Sequence, residues 1–306
     1  MKLLKKLTLA LGIALTFAIT CQAANINMLR IDVWPEGKIP GKDVDQIKDK
    51  TGQVPQSRNA PFMQVYLPAT KNQTGFMIIC PGGAYVGLAT GHEGTQIAKW
   101  LSSNNIPCAI LNYRIPHKPQ AALMDIQRAI RIVRENAKKW NIDTNRIAIM
   151  GFSAGANLCA RASTNFDVKT YEPIDNIDKH SARPNFTGLI YPAYCDNIGN
   201  EKRWKNTPLK KGIDYSTEFK LADNLKIKKN TPPTFIVQTQ DDYYGNAAIA
   251  YYLALKKNNI SANLHMFDKG GHGYGIAKKG ELVDAWDSLF LNWLKHNNID
   301  GNKQKK

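Results

Sequence analysis

Ile147-Ala148-Ile149-Met150-Gly151-Phe152-Ser153-Ala154-Gly155-Ala156-Asn157-Leu158-Cys159-Ala160-Arg161-Ala162 is the stretch on which the fold turns. Its first four residues are apolar without alternation, which reads as a strand buried on both faces. Gly151-Phe152-Ser153-Ala154-Gly155 then makes a sharp turn, and the mostly small residues from Ala156 to Ala162 open a helix. The spacing is G-x-S-x-G in the order strand, turn, helix. Glycines suit a turn so tight that side chains there would clash, and such a turn lifts a serine hydroxyl clear of the sheet. The amino end of the helix adds a favourable field for negative charge developing nearby. Ser153 is therefore the candidate nucleophile.

Working outward, the same kind of apolar run recurs. Phe76 to Cys80, Cys108 to Leu111, Leu189 to Tyr191 and Phe235 to Val237 join Ile147 to Met150 as five buried strands. Amphipathic helices lie between and after them. Over 119–140, Ala122, Ile126, Ala129, Ile130, Val133 and Ala137 recur at helical spacing, with Arg131, Arg134 and Lys138 off the stripe. Over 281–295, Leu282, Trp286, Leu289 and Trp293 are expected to do the same. This alternation predicts an α/β fold with a mainly parallel central sheet flanked by helices. Such sheets carry their chemistry on loops at the carboxyl ends of the strands.

A serine is a poor nucleophile unless a base, held by an acid, takes its proton. Of the histidines after Ser153, His265 falls inside an alternating strand at 263–267 and His296 ends the last helix. His272 stands in the glycine-rich loop Gly270-Gly271-His272-Gly273-Tyr274-Gly275, directly after a strand, where a base belongs. The acid follows the strand Phe235–Thr239: Asp242 is the choice, with Asp241 as the alternative. Backbone N–H donors for an oxyanion are expected from Gly82 and Gly83, in Pro81-Gly82-Gly83-Ala84-Tyr85, and from Ala154 after the nucleophile; Ala84 is an alternative donor. The histidines do not cluster at metal-ligand spacings, so no metal or organic cofactor is expected.

Composition narrows the class further. The 306 residues carry a formal charge of +16, with 43% hydrophobic residues, the balance of a globular chain. Residues 1–23 read as a signal peptide: Lys2, Lys5 and Lys6, then an apolar core from Leu7 to Thr20, then a cut between Ala23 and Ala24. Losing those three lysines lowers the charge to +13. The remainder, 24–306, is expected to form one domain, secreted or periplasmic, with no later stretch long and apolar enough to span a bilayer. The charge favours acidic polymers as neighbours, while no basic helix or zinc finger points to nucleic acid. Cys80, Cys108, Cys159 and Cys195 fit neither zinc nor redox-pair spacing and read as small buried hydrophobes. Residues 195–230 hold nine Lys/Arg, five Asp/Glu, Trp204, Tyr215 and Phe219, and read as a cap-like insertion.

The chain resembles the α/β-hydrolase superfamily, and within it secreted bacterial esterases related to acetylxylan esterases and hormone-sensitive-lipase-like esterases. The resembling segments run across nearly the whole chain in order. They are Trp34-Pro35-Glu36-Gly37, Ile79 to Tyr85, His92-Glu93-Gly94, Asp125 to Arg131, Gly151 to Gly155, Thr231 to Phe235, Asp241-Asp242 and Gly271 to Gly275. Pro81 stands where the lipase-like branch has a histidine, Ala84 where it has a last glycine, and Tyr243-Tyr244 where a proline-valine often follows the acid. The resemblance implies a cofactor-free serine carboxylic-ester hydrolase acting on acylated polysaccharide such as acetylated xylan. A feruloyl esterase or peptidase on the same fold, and a non-catalytic carbohydrate-binding relative, remain open as alternatives.

Overall fold

The computed structural model describes residues 26–41, 60–197 and 219–302. The leader at 1–23 with its Ala23/Ala24 cut, and residues 198–218 of the expected insertion with Trp204 and Tyr215, lie outside the described residues.

Among the described residues, eight strands form one sheet: β1 (Ile26–Asp32), β2 (Phe62–Pro68), β3 (Thr74–Cys80), β4 (Cys108–Asn112), β5 (Ile142–Phe152), β6 (Phe186–Ile190), β7 (Thr234–Thr239) and β8 (Ala262–Phe267). Their spatial order is β1-β2-β4-β3-β5-β6-β7-β8. The strands from β3 to β8 are parallel, and β2 is antiparallel to both β1 and β4. The five apolar runs are β3 to β7. All seven residues of β3 and all six of β7 are buried, as strands covered on both faces must be.

Five helices cover the sheet among the described residues: α1 (Gln96–Ser103), α2 (Pro119–Glu135), α3 (Ala154–Thr164), α4 (Gly245–Lys257) and α5 (Trp286–His296). The period-2 alternation of each strand divides the core in two. Phe76, Ile78, Ile147, Ile149 and Ile236 pack with Ile126, Ile130, Val133, Leu158 and Tyr251 of α2, α3 and α4. Met77, Ile79, Ala148, Met150 and Val237 pack on the other face with Ile97, Leu101, Trp286, Phe290 and Leu294 of α1 and α5. Each such buried Val, Leu, Ile, Met or Phe side chain contributes roughly 1.5–3 kcal/mol of transfer free energy.

The stripe expected in α2 is buried throughout, from Ala122 to Val133, with Ala137 in the turns beyond. The stripe expected at 281–295 is out of phase. Leu282 is 73% exposed, and the buried row is Val283, Trp286, Phe290 and Leu294. The reason is local: Leu282–Ala285 is a tighter 3-10 turn, so helical spacing begins only at Trp286.

Two features position the site. After β3 the chain steps out to β4, then crosses back to β5 on the other flank of β3. Cys80 thus lies beside Gly151 at the carboxyl ends, where loops diverge and open a crevice. Further along, the 195–230 segment leaves and returns as a short antiparallel pair. Asp196 bridges Leu221, and the Ala222 N–H donates to the Cys195 carbonyl at 3.0 Å.

Candidate active site

Ser153 stands between β5 and α3 with φ +51° and ψ −119°, a conformation that a residue with a side chain avoids. The surroundings hold it there. Its N–H donates to the Ile190 carbonyl at 3.1 Å, and its own carbonyl accepts from Ala156 (3.0 Å), Asn157 (3.1 Å) and Ala193 (3.2 Å). The flanking glycines answer to close approach. A Cβ on Gly151 would meet the Gly155 carbonyl oxygen at 2.2 Å, and one on Gly155 would meet the Cys80 oxygen at 2.0 Å. The turn and β3 therefore touch backbone to backbone, which no other residue type allows.

His272, Ser153 and Asp242 come from three separate loops and meet in one hydrogen-bonded chain. His272 Nε2 lies 2.7 Å from Ser153 Oγ, and His272 Nδ1 lies 2.7 Å from Asp242 Oδ2. Asp242 is 2% exposed, and its Oδ1 accepts the Tyr244 N–H at 2.8 Å, so the carboxylate is oriented as well as buried. Asp241, one residue earlier, is exposed and turned to a different task. It accepts N–H groups of Gly271 (2.9 Å) and Gly270 (3.3 Å) and so supports the loop that carries His272. Partial burial pushes the Asp241 carboxyl up, but these N–H donors and the Thr239 hydroxyl outweigh it and hold it below the ordinary range. His265 sits in β8 opposite Val237 with its ring 4.9 Å from Phe235, and burial lowers its pKa. His296 ends α5.

The oxyanion segment departs from expectation at one donor. The Gly82 N–H is taken by Glu93 Oε2 at 2.6 Å, so Gly82 is not a donor to an oxyanion. Its part is proximity: a Cβ there would stand 2.9 Å from Ser153 Cβ. The N–H groups of Gly83, Ala84 and Ala154 donate to no protein acceptor among the described residues. Gly83 (φ +128°), Ala84 (φ +56°) and Tyr85 (φ +58°) form a run of positive-φ backbone.

Two residues without an assigned role in the sequence belong to this site. Glu93, 3% exposed, accepts the Gly82 N–H and also the Tyr191 hydroxyl at 2.8 Å. Tyr191 accepts in turn from the Gly275 N–H at 3.1 Å, and its ring stands edge-on to His272 at 5.2 Å. Burial, then the neighbouring Glu93 charge, push the Tyr191 phenol well above its usual range, so it stays a donor. His92-Glu93-Gly94 is visible in the sequence only as a segment of the resemblance, and Tyr191 only as the end of an apolar run. Neither partner is local, so no sequence pattern marks the pair. The cysteines at 80, 108, 159 and 195 are buried, and burial pushes Cys108 up to about 12.

Comparison with known proteins places this geometry in a family. The BD-FAE family model matches residues 63–254. An acetylxylan esterase of Xylanibacter ruminicola is 32% identical over 247 residues, 76% of this chain; the chain spans about half of that protein, 48% of its length. An arylesterase of Saccharolobus solfataricus is 32% identical over 233 residues, 67% of this chain and 72% of its own. Among solved structures, an acetyl ester-xyloside bifunctional hydrolase from Caldicellulosiruptor lactoaceticus is 32% identical with a TM-score of 0.72, covering 89% of this chain and 97% of that one. The mixed eight-stranded sheet, the serine turn between β5 and α3 and the extent of these matches agree: the chain belongs to the BD-FAE family, on the α/β-hydrolase fold.

Proposed function

We propose that this protein is a secreted serine carboxylic-ester hydrolase that removes acetyl groups from xylan-type polysaccharide. The observation that carries the reading is the unbroken chain from Ser153 Oγ through His272 to Asp242, beside backbone N–H groups of Gly83 and Ala154 that have no protein acceptor among the described residues.

The chemistry follows from those contacts. His272 Nε2 takes the Ser153 proton as Oγ attacks the ester carbonyl, and Asp242 holds the imidazole by its Nδ1–H and offsets the charge it gains. The carbonyl oxygen becomes an anion, which Gly83 and Ala154 N–H groups, with Ala84 nearby, stabilise without reorganising. As the intermediate collapses and its bond to the sugar oxygen breaks, His272 gives its proton to that oxygen, which leaves as a hydroxyl. In the second half His272 takes a proton from water as that water attacks the acyl-enzyme, and returns it to Ser153 Oγ as the acyl–oxygen bond breaks and acetate leaves.

The acetyl and xylan assignments are supported by the names of the relatives, an acetylxylan esterase and an acetyl ester-xyloside hydrolase. Export is supported by the basic and apolar pattern of residues 1–23. Two assays test the proposal. A fluorophosphonate should label the enzyme at Ser153 alone, and acetylated xylan should release acetate. Absence of labelling in folded protein would overturn the serine mechanism. Release of ferulate from feruloylated arabinoxylan, with no acetate from xylan, would hand the substrate to the feruloyl alternative.

A further inference from the structure

We propose that Glu93 is a positioning residue, whose one buried carboxylate sets the oxyanion loop and the histidine loop in register with each other. The inference rests on the esterase reading and names a determinant of its rate. Glu93 lies on the single wide turn Gly91–Thr95 that leads into α1, outside all three loops of the triad. Its two oxygens go separate ways. Oε2 accepts the Gly82 N–H at 2.6 Å, in the loop after β3. Oε1 accepts the Tyr191 hydroxyl at 2.8 Å, and that hydroxyl accepts the Gly275 N–H, three residues beyond His272. The Gly275 carbonyl accepts from Trp286 Nε1 at 2.9 Å, so the end of the histidine loop is fixed through both backbone polar groups of one residue.

The placement matters because of what each arm touches. Gly82 packs against Ser153 and directly precedes Gly83, so the bond to Oε2 orients the peptide plane just before a free oxyanion donor. The Tyr191 arm fixes the far anchor of the loop whose near anchor is Asp241. A carboxylate that is 3% exposed is costly to bury unless its lone pairs are satisfied. Among the described residues its only possible ion pair is with the half-exposed His92, whose Nε2 is 3.6 Å away. The stronger, shorter bonds run to Gly82 of the oxyanion loop and, through Tyr191, to the histidine loop, and charge-assisted bonds of this kind hold geometry more firmly than neutral ones.

Variants separate the arms. Glu93→Gln keeps the shape and leaves an oxygen for the Gly82 N–H, but turns an amide donor toward a Tyr191 hydroxyl that already accepts from Gly275. Tyr191→Phe cuts the same arm and keeps the carboxylate. Each should lower kcat on a chromogenic acetyl ester about tenfold with KM within about twofold, because misplacing reacting groups costs turnover more than binding. Both act on one arm, so the double variant should fall less than about threefold below the worse single one. Glu93→Ala cuts both arms and should cost about 10²-fold, the scale of a lost oxyanion donor. Thermal midpoints are measured alongside, and if Glu93→Ala does not fold the two milder variants decide. Parent kcat in folded Glu93→Gln, or effects of Glu93→Gln and Tyr191→Phe that multiply in full, would overturn the positioning role while an active wild type leaves the esterase reading standing. An inactive wild type overturns both.

Discussion

Ser153 shows how a single residue is forced into use. Its left-handed backbone is uphill for serine, and the four hydrogen bonds around its peptide groups supply the compensation. Replacing the hydroxyl leaves that scaffold in place. Ser153→Ala and His272→Ala should therefore each lower kcat by roughly 10³-fold or more with a thermal midpoint near that of the parent. The paired aspartates make a sharper test. Asp242→Asn leaves His272 Nδ1 without a carboxylate and should lower kcat by about 10⁴-fold. Asp241→Asn keeps an oxygen for the Gly271 N–H and should cost less than about tenfold, the scale of one weakened loop bond. Measuring kcat for both on the same acetyl ester decides it, and a larger loss in Asp241→Asn would mean the acid is misassigned. At this scale the candidate serine and histidine were legible because each sits in a recognisable local turn, whereas which of the two aspartates meets His272 was left open by the sequence. The use of the Gly82 N–H was not legible, because its acceptor is set by where Glu93 folds.

Among the elements, α2 buries two charged side chains, Asp125 and Arg128. Arg128 falls on the same turn of helix as the apolar stripe and is 1% exposed. Its guanidinium pairs with Asp175 (2.6 Å) and Asp178 (2.8 Å) around the 3-10 turn Asn176–Lys179, and donates from Nε to the Val33 carbonyl at 3.3 Å. The Trp34 ring has the guanidinium of Arg114 at 5.9 Å and that of Arg128 at 5.7 Å, and its Nε1 donates to Asp125 at 2.7 Å. The chain after β1 is thus clamped to α2. Arg128→Met should cost about 3 kcal/mol in urea unfolding, because it strands the Asp178 carboxylate in the interior. Acid adds a second signature. The Arg128 hydrogen bonds hold Asp175 below the ordinary carboxylate range. Burial pushes Asp178 up, but the Tyr171 hydroxyl, the Ile174 N–H and Arg128 outweigh it and hold that carboxyl low too. Depressed folded values stabilise the protein fully above the unfolded value of about 3.9, and that share is lost as pH falls below it. The wild type should lose more stability than Arg128→Met between pH 5 and pH 3, roughly the window that this linkage sets. Equal losses would show that the pair does not carry the acid sensitivity. The helix was legible from its apolar period; its charge network was not, since Arg128 and its partners lie 47 and 50 residues apart in sequence. β1 and β2 were also missed. β1 has a half-exposed alternation at the sheet edge rather than a buried run.

For the whole molecule, the crossing from β4 back to β5 brings the oxyanion loop and the serine turn side by side. The net charge acts at the same scale. At +16 for the full sequence, or +13 without residues 1–23, the chain should attract polymers that bear uronic acids. Raising salt from 20 mM to 500 mM, which shrinks the screening length from roughly 20 Å to about 4 Å, should lower kcat/KM on glucuronic-acid-bearing acetylated xylan and leave a neutral acetyl ester nearly unchanged. Equal salt effects on both would remove long-range steering from the account.

The order of apolar runs and helices, the serine turn and the glycine-flanked histidine all follow from the sequence by itself. Each is a short-range pattern whose meaning depends on neighbours a few residues away, and such patterns survive whatever the distant chain does. The partners of Arg128 and the split loyalties of Glu93 were decided only in the tertiary structure. There the contacts join positions far apart in the chain, such as Glu93 and Tyr191, and a side chain's hydrogen-bond capacity is spent on whichever groups the packed sheet brings within reach.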